Sequence, residues 1–386
     1  MLTTILSNNS ANSTSTAVEK KEEKKEKIEA GASLNKVEME NYLDPIRDLI
    51  LNGEKRGDRT GVGTMSKFGS MTRYNLEDEF PLLTTKRVFW RGVVEELLFF
   101  LKGCTDERKL SEKKVTIWKA NSDAWHGKQV TKEKLMKEEM EKLKEEEREI
   151  YSELQALNNE EDQERKKKSV ERETLYKTLS SLQKKLTQLK QYRPHIDGDL
   201  GPIYGWQWLH FGAKYIDCDT DYTGQGFNQI EYVINEIKNN PNSRQIFLSG
   251  WNPADLFLMA LPPCHVSYQF RVSNGRLSCM MTQRSVDTIL GQPFNIASAS
   301  LLTCMLAHVC GLKPGELVHS LGDYHIYLNH IEGAKIQLDR TPVKFPKMKI
   351  VVPEGKEIKC IQDFEFDYFK IIDYDPAPAI KFDMAV

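Results

Sequence analysis

Hydrophobic positions divide the chain into stretches with different periodicities. Apolar residues recur at helical spacing over 42–50, which predicts an amphipathic helix that ends at the turn Asn52-Gly53. More continuous apolar runs predict buried helices over 87–101 and 294–310. Strands are predicted where apolar and polar residues alternate, at 245–251, 265–272, 277–283 and 343–352. Strands interleaved with buried helices indicate an α+β, or mixed α/β, fold.

The pattern changes between residues 128 and 196. Two runs of apolar residues keep a 4-3 spacing and are separated by a polar break at 158–163, which predicts an antiparallel coiled-coil hairpin inserted into the globular domain. This hairpin is either a solvated spacer or a docking arm for a partner or a second copy. Two helices can bury the apolar residues of such a seam against each other without a partner, which favours the spacer. The seam residues are Met136, Met140, Leu143, Ile150, Leu154 and Leu157, then Leu175, Leu179, Leu182, Leu186 and Leu189.

The first 36 residues are rich in Ser, Asn and Thr, and then in Glu and Lys. Such a segment buries too little apolar surface to offset its ordering entropy, so we expect a disordered tail. We therefore predict a tail at 1–36, a domain in two parts at 37–127 and 197–386, and the hairpin at 128–196.

Composition excludes several classes of protein. The chain has 386 residues with 54 Lys and Arg against 56 Asp and Glu, so bulk charge does not indicate nucleic-acid binding. It has no membrane-length apolar run and no secretory signal, so we expect a cytoplasmic protein. The seven cysteines lack CxxC spacing, which indicates reduced thiols and no zinc site.

One cysteine and three arginines indicate possible chemistry. Cys264 follows two prolines at the edge of a predicted strand, and a cysteine there becomes a nucleophile when nearby cations stabilise its thiolate. Otherwise it is an inert buried thiol. Arg59, Arg244 and Arg284 lie at predicted element ends beside Ser, Thr or Gln, which suits a bound phosphate. Taken singly, each arginine also fits an ordinary surface residue.

Two further features are weak alone. His325 and Tyr327 are two positions apart, so on a strand they share a face. Asn295 opens the predicted helix at 294–310, and its amide offers both a donor and an acceptor, as recognition of a pyrimidine edge requires.

Together these residues resemble the thymidylate synthase family over roughly residues 38–126 and 197–386. The tail and the hairpin lie outside the family pattern. The matching stretches are DRTG at 58–61, FPLLTTKR at 80–87, EELL at 95–98, TIW at 116–118, GDLGPIYG at 198–205, WNP at 251–253, MALPPCH at 259–265, QRS at 283–285, PFNIAS at 293–298, HIYLNH at 325–330 and MAV at 384–386.

The resemblance implies a reaction. The thiolate of Cys264 would add to C6 of dUMP, and C5 would then attack the methylene carbon of 5,10-methylenetetrahydrofolate. Arg284 would bind the phosphate and help to keep Cys264 ionised, with Arg59 as a second phosphate ligand. Arg244 would reach the phosphate of the other subunit, so the enzyme would be a C2 homodimer. No metal is needed, because folate supplies both carbon and hydride.

The resemblance also assigns roles around the nucleotide and the folate. Asn295 would bind the uracil edge and disfavour dCMP, and Glu96, not Glu95, would relay protons. Further catalytic positions are Tyr204 and Asp287, and further substrate contacts are Gln283, Ser285, His325 and Tyr327. The folate side would be formed by Lys86 at the glutamate tail, by Trp118, Leu261, Leu290, Gly291 and Phe294, and by Val386 closing over the bound pair.

Some positions depart from the family pattern, namely Gln245 in place of a second arginine, Thr282, Tyr324 and Ala377. They leave two possible fates for the intermediate that carries a methylene group on C5 of the pyrimidine. Hydride transfer gives dTMP and dihydrofolate, whereas water gives 5-hydroxymethyl-dUMP, as in phage pyrimidine hydroxymethylases. A third possibility is an inactive homologue that serves as a scaffold, which the intact Cys264 argues against.

Overall fold

The computed structural model describes residues 34–159, 168–190 and 194–384. The described residues divide into two compact units: those within 34–104, 202–214 and 222–384 form the first, and those within 105–201 and 215–221 form the second. Among the described residues, no helix combines the length and the apolar character that a membrane span requires.

A six-stranded mixed sheet forms the centre of the first unit, with strand order β1-β2-β6-β5-β4-β3. Only β5 and β6 pair in parallel, and the other neighbours are antiparallel. A separate two-stranded sheet pairs β7 with β8. The strands are β1 (Glu54–Arg56), β2 (Thr64–Asn75), β3 (Phe247–Ser249), β4 (His265–Ser273), β5 (Arg276–Asp287), β6 (Lys313–Tyr327), β7 (Lys347–Ile350) and β8 (Phe369–Ile372).

A buried helix, α7, makes the crossover that the parallel pair β5 and β6 requires. It packs on both strands and on α2, so apolar residues cover almost its whole circumference. The main helices are α1 (Asp44–Asn52), α2 (Trp90–Leu101), α3 (Lys119–Asn158), α4 (Ser169–Lys190), α5 (Tyr204–His210), α6 (Gln229–Asn239), α7 (Gly291–Val309) and α8 (Ile331–Leu338).

These elements confirm the predicted mixed α/β class. The prediction missed β2 and most of β6. Gly69 adopts a positive φ inside β2 and interrupts the alternation of apolar and polar residues. Pro314 and Gly322 are of residue types common in loops, so the sequence of β6 did not indicate a strand. The strand predicted at 343–352 is shorter, Lys347–Ile350, and lies outside the main sheet.

In the second unit, α3 and α4 pack against each other through apolar side chains. Most of the polar break predicted at 158–163 lies outside the described residues, as does nearly all of the predicted tail. Heptad coiled-coil geometry for this pair stays a prediction. The buried contact residues are Leu143, Ile150, Leu154, Leu179, Leu182 and Leu186, with Leu175 and Leu189 partly buried beside them.

A buried carboxylate ties the N-terminal segment to the loop before α2. Glu38 is fully buried in a short helical turn, and its oxygens accept hydrogen bonds from the backbone N–H groups and hydroxyls of Thr84 and Thr85 at 2.7–3.0 Å. Burial raises the pKa of Glu38 although these hydrogen bonds oppose the shift. The contacts fix the loop that carries Lys86.

We predict that Glu38→Ala lowers the free energy of unfolding by about 2 to 3 kcal/mol, because buried N–H donors of Thr84 and Thr85 lose their acceptor. Urea denaturation followed by circular dichroism measures the change. The exposed neighbour Glu40 provides the matched control, since Glu40→Ala removes a carboxylate from the surface. Equal effects of the two substitutions would contradict the structural role of Glu38.

Candidate active site

Cys264 is held by its own backbone immediately before β4. Its N–H donates to the Tyr204 hydroxyl oxygen at 2.8 Å, and its carbonyl accepts from the N–H of Arg284 at 2.9 Å. The Arg284 guanidinium in turn donates to the carbonyls of Pro262 and Pro263, both at 2.9 Å. The two prolines thus serve both to fix the backbone and to anchor the guanidinium next to the thiol.

The electrostatic surroundings of Cys264 contain opposing contributions. Burial is the largest, and it raises the pKa of the thiol above its ordinary value. The charge of Arg284 acts most strongly in the other direction, followed by a hydrogen bond from Tyr204 and the charge of Arg59. Arg284 therefore favours the thiolate as expected, but in the isolated chain burial has the larger effect.

Arg59 lies in a loop that the Asp58 carboxylate organises. Asp58 accepts hydrogen bonds from the N–H of Thr60 at 2.9 Å and of Gly63 at 2.7 Å. Positive φ angles at Gly61 and Gly63 turn this loop tightly. The Arg59 side chain is exposed, and its charge acts on both Cys264 and Tyr327, so the loop presents a cation to the same site as Arg284.

Arg244 lies elsewhere in the first unit. It is exposed and lines a cavity of about 930 Å³ together with Arg73 and Arg271. Among the described residues, the cations that act most strongly on Cys264 are Arg284 and Arg59, and Arg244 is not one of them. The single chain thus brings together two of the three predicted phosphate ligands.

Tyr204 and Glu96 lie on neighbouring helices, α5 and α2. The Tyr204 ring stacks on Phe100 with centroids 4.8 Å apart, and burial, Cys264 and Glu96 keep the pKa of its hydroxyl well above the usual range. Glu95 is buried instead, and pairs with Arg91 at 3.7 Å. The charge of Glu96 thus acts on Tyr204, while the proton relay assigned to Glu96 stays a prediction.

A line of amides and one histidine lies between β5, β6 and α7. The Gln283 amide nitrogen donates to Asn295 Oδ1 at 2.8 Å and to the Ser285 carbonyl at 3.0 Å. The Gln283 amide oxygen lies 2.8 Å from His319 Nε2. Asn295 occupies the first turns of α7, so the helix start and the strand end position it together.

The end of β6 presents His325 and Tyr327. Their rings meet edge to face with centroids 5.4 Å apart, and His325 Nδ1 lies 3.0 Å from Asp323 Oδ1. Burial together with Asp287 and Asp58 raises the pKa of Tyr327 to about 12, against a smaller opposing effect of Arg59. Both aromatic side chains therefore lie beside the groups that surround Cys264.

Asp287 ends β5 and organises the turn that leads into α7. Its Oδ1 accepts from the N–H groups of Ile289 at 3.0 Å and Leu290 at 3.1 Å. Gly291 and the partly buried Phe294 follow in the first turn of the helix, and the partly buried Leu261 precedes Pro262. The predicted folate-lining residues of the first unit are thus partly accessible apolar groups, which suit a flat aromatic ligand.

Lys86 is less accessible than the prediction implies. It is 7% exposed, its ammonium donates to the Ile289 carbonyl at 2.6 Å, and the ring of Phe382 lies 4.9 Å from it. Burial lowers the pKa of Lys86 to about 8, partly offset by the charge of Asp287. Contact with a glutamate tail therefore requires the Lys86 ammonium to become more exposed.

Two predicted folate contacts cannot be placed in this site. Trp118 is a buried residue of the second unit, and Val386 lies outside the described residues. Both assignments stay predictions.

Sequence reasoning missed two residues that organise the site, Glu38 and His319. His319 had a signal, since it takes an inward position between Leu317 and Leu321 in an otherwise apolar alternation. Glu38 had none, because its partners Thr84 and Thr85 are far along the chain.

A cysteine fixed at a strand end, beside two arginines, a tyrosine and a carboxylate, defines an enzyme of covalent nucleophilic catalysis on an anionic substrate. Residues 40–386 match the family described as thymidylate synthase. Over 345 residues, or 89% of this chain, the sequence is 46% identical to thymidylate synthase of human herpesvirus 8 type P and to that of Homo sapiens, with 83% and 90% of those proteins covered. It is also 46% identical over the same length to bifunctional dihydrofolate reductase-thymidylate synthase 2 of Arabidopsis thaliana, with 50% covered.

The chain belongs to the thymidylate synthase family. This confirms the predicted family and, with it, one-carbon transfer to dUMP with 5,10-methylenetetrahydrofolate as the co-substrate.

We predict that Arg284→Met raises the pKa of the Cys264 thiol further, because burial then meets less opposing positive charge. Alkylation at neutral pH should slow, and its pH profile should move upward. Iodoacetamide labelling followed by peptide mass spectrometry measures this at Cys264 alone. Arg276→Met is the matched control, since Arg276 lies at the other end of β5 and pairs with Glu77 at 2.9 Å. An unchanged profile in Arg284→Met would contradict the assigned electrostatics.

Proposed function

We propose that this chain reduces the transferred one-carbon unit to a methyl group and so converts dUMP into dTMP, with dihydrofolate as the second product. The observation that carries the proposal is the fixed position of Cys264 between Tyr204 and the anchored guanidinium of Arg284. Relatives that share 46% identity with this chain are themselves thymidylate synthases.

In this proposal Cys264 forms a bond to C6 of the uracil ring. The thiol proton leaves, and C5 becomes the nucleophile that attacks the one-carbon unit. C5 then loses its own proton as tetrahydrofolate is released, tetrahydrofolate donates a hydride to the methylene carbon and becomes dihydrofolate, and the C–S bond breaks. Burial disfavours the thiolate of Cys264 in the single chain. Additional positive charge close to the sulfur therefore favours ionisation of the thiol, which is the first step of the reaction. Glu96 and Tyr204 lie where they can organise the water that carries protons to the pyrimidine.

Asn295 is proposed to read the base. Its amide nitrogen donates to the C4 carbonyl oxygen, and its amide oxygen accepts from N3–H, which is the hydrogen-bonding pattern of uracil. His325 and Tyr327 are proposed to bind the deoxyribose hydroxyl, with Arg59 and Arg284 on the phosphate. These roles place the nucleotide across the ends of β5 and β6 and beside Cys264.

The positions that depart from the family pattern bear on the choice between hydride and water. Thr282 and Tyr324 directly precede Gln283 and His325 on their strands, and adjacent strand residues point to opposite faces of a sheet. Tyr324 accordingly feels the charges of Lys67 and Asp48. The Tyr324 side chain therefore lies behind the wall of the site, which favours reduction over hydroxymethylation, whereas Thr282 is two positions before Arg284 and shares the face of that residue.

Product analysis tests the proposed reduction. With dUMP and 5,10-methylenetetrahydrofolate, we expect dTMP by chromatography and the absorbance increase of dihydrofolate. Consumption of dUMP without this increase would identify the hydroxymethylase instead. If the folded, correctly assembled protein shows no turnover, the result would favour the hypothesis of an inactive homologue that serves as a scaffold.

The nucleophile has its own test. We predict that Cys264→Ala abolishes turnover while dUMP binding remains measurable, because the sulfur forms the bond to C6 and the phosphate ligands stay in place. Kinetics and calorimetry measure the two properties. Cys360→Ala is the matched control, since Cys360 is exposed and lies in a loop. Substantial product formation by Cys264→Ala would refute the assignment.

We further propose a homodimer in which Arg244 of each chain completes the phosphate site of the other. Arg244 is exposed and away from its own Cys264, on a sheet surface with a cavity of about 930 Å³. Large apolar side chains are exposed on the strands as well, with Phe68 85% and Phe247 43% accessible. Such surfaces mark interaction sites, and a twofold axis would supply the missing cation.

Mixing two inactive variants tests this sharing. In a dimer of Arg244→Ala with Cys264→Ala, one site has an intact cysteine and the intact arginine of the other chain. Random reassociation should then restore on the order of a quarter of wild-type activity, since half of the dimers are mixed and each has one complete site. Activity no greater than the average of the unmixed variants would contradict a shared site.

We propose that the hairpin is a spacer. Six apolar residues of its seam are buried in contacts between α3 and α4, so the seam is covered without a partner. Replacing residues 131–190 with a short Gly-Ser linker should leave the steady-state rate of dTMP formation unchanged. A folded deletion variant without activity would show that the hairpin contributes more. The cytoplasmic location also remains a proposal.

A further inference from the structure

His319 is a buried titratable residue to which the reaction assigns no role. It lies in the middle of β6 with no exposed surface, and its Nε2 is 2.8 Å from the amide oxygen of Gln283. Burial, together with nearby His265, lowers the pKa of His319 to about 3. The imidazole is therefore neutral at physiological pH, and only one of its two nitrogens carries a proton.

The contacts of Gln283 decide which nitrogen that is. The backbone carbonyl of Ser285 can only accept, so the Gln283 group 3.0 Å from it is the amide nitrogen. The Gln283 amide oxygen consequently faces His319, which must donate from Nε2–H. The other nitrogen, Nδ1, is buried and has no hydrogen-bond partner among the described residues.

The same contacts fix the orientation of Asn295. The Gln283 nitrogen donates to Asn295 Oδ1 at 2.8 Å, so rotating the Asn295 amide would bring two NH₂ groups together. In this orientation Nδ2 is the donor side and Oδ1 the acceptor side of the Asn295 amide, and the buried side chain of His265 is a second hydrogen-bond neighbour of Asn295. Uracil offers the complementary carbonyl and N3–H, whereas cytosine needs the reversed amide.

We propose that His319 is a positioning residue for base selection: its Nε2–H holds the amide of Gln283 in one orientation, and Gln283 holds Asn295 in the orientation that accepts uracil and rejects cytosine. This inference rests on the proposed role of Asn295 as the residue that reads the base. The inference assigns a role in base selection to a residue that does not contact the nucleotide.

Two variants of similar size separate positioning from packing. In His319→Gln the side-chain amide can place a donor near the position of Nε2, whereas in His319→Asn the shorter side chain reaches only the position of Nδ1. We expect His319→Gln to keep the wild-type preference for dUMP over dCMP. In His319→Asn, we expect the ratio of the two dissociation constants to fall by about tenfold, the usual consequence of one buried acceptor left unpaired.

Calorimetric titration of the full-length protein with dUMP and with dCMP measures this ratio. A general loosening of the core would weaken both nucleotides equally and leave the ratio unchanged, so an unchanged ratio in His319→Asn would overturn the inference. Equal loss in His319→Gln and His319→Asn would overturn it as well, since the donor would then be irrelevant.

Asn295→Asp shows whether the underlying role of Asn295 holds. If this variant leaves the preference for dUMP unchanged, Asn295 does not read the base and the proposed recognition fails. If Asn295→Asp shifts the preference towards dCMP while His319→Asn does not, only the positioning role is wrong.

The tautomer of His319 provides a test that needs no variant. Nitrogen NMR of protein labelled with ¹⁵N-histidine should show a neutral ring protonated at Nε2, in the free protein and in the dUMP complex. A proton on Nδ1 would contradict the inference, because Gln283 would then face an acceptor.

Discussion

The site depends on one electrostatic balance, that between the burial of Cys264 and the guanidinium beside it. Taking a thiol out of water disfavours its ionised form, and only fixed positive charge or hydrogen-bond donors nearby reverse this. Arg284 supplies that charge while its own donors are held by the carbonyls of Pro262 and Pro263. Because the cation is anchored before substrate arrives, little reorganisation is needed when the thiolate forms.

The fold assembles the other groups around this pair by its topology. Two parallel strands and their crossover helix bring Arg284, Asp287 and Asn295 to one end of the sheet, where β6 presents His325. Residues that are far apart in sequence therefore meet at the strand ends, where a ligand can reach them. Anchoring by Glu38 serves the same purpose at the edge of the site, since it fixes the loop that leads to Lys86.

Much of this site was predictable from the sequence, and the reasons for the remainder are physical. Cys264 and the arginines occur in short motifs, so their chemistry is visible locally. His319 and Glu38 act through partners distant in the chain, and only tertiary contacts reveal them. The position of Tyr324 relative to the site could not be predicted, because sequence alone does not say which face of a strand a residue occupies. Strand β2 was not predicted because Gly69 breaks the alternation of apolar and polar residues that is typical of a strand.

The central claim is that the sulfur of Cys264 forms a covalent bond with the nucleotide during turnover. Mass spectrometry of protein quenched with acid during the reaction tests this directly. We expect a peptide containing Cys264 whose mass is increased by the nucleotide, and the same peptide unmodified when dUMP is left out. Rapid product formation with the adduct on another cysteine would contradict it.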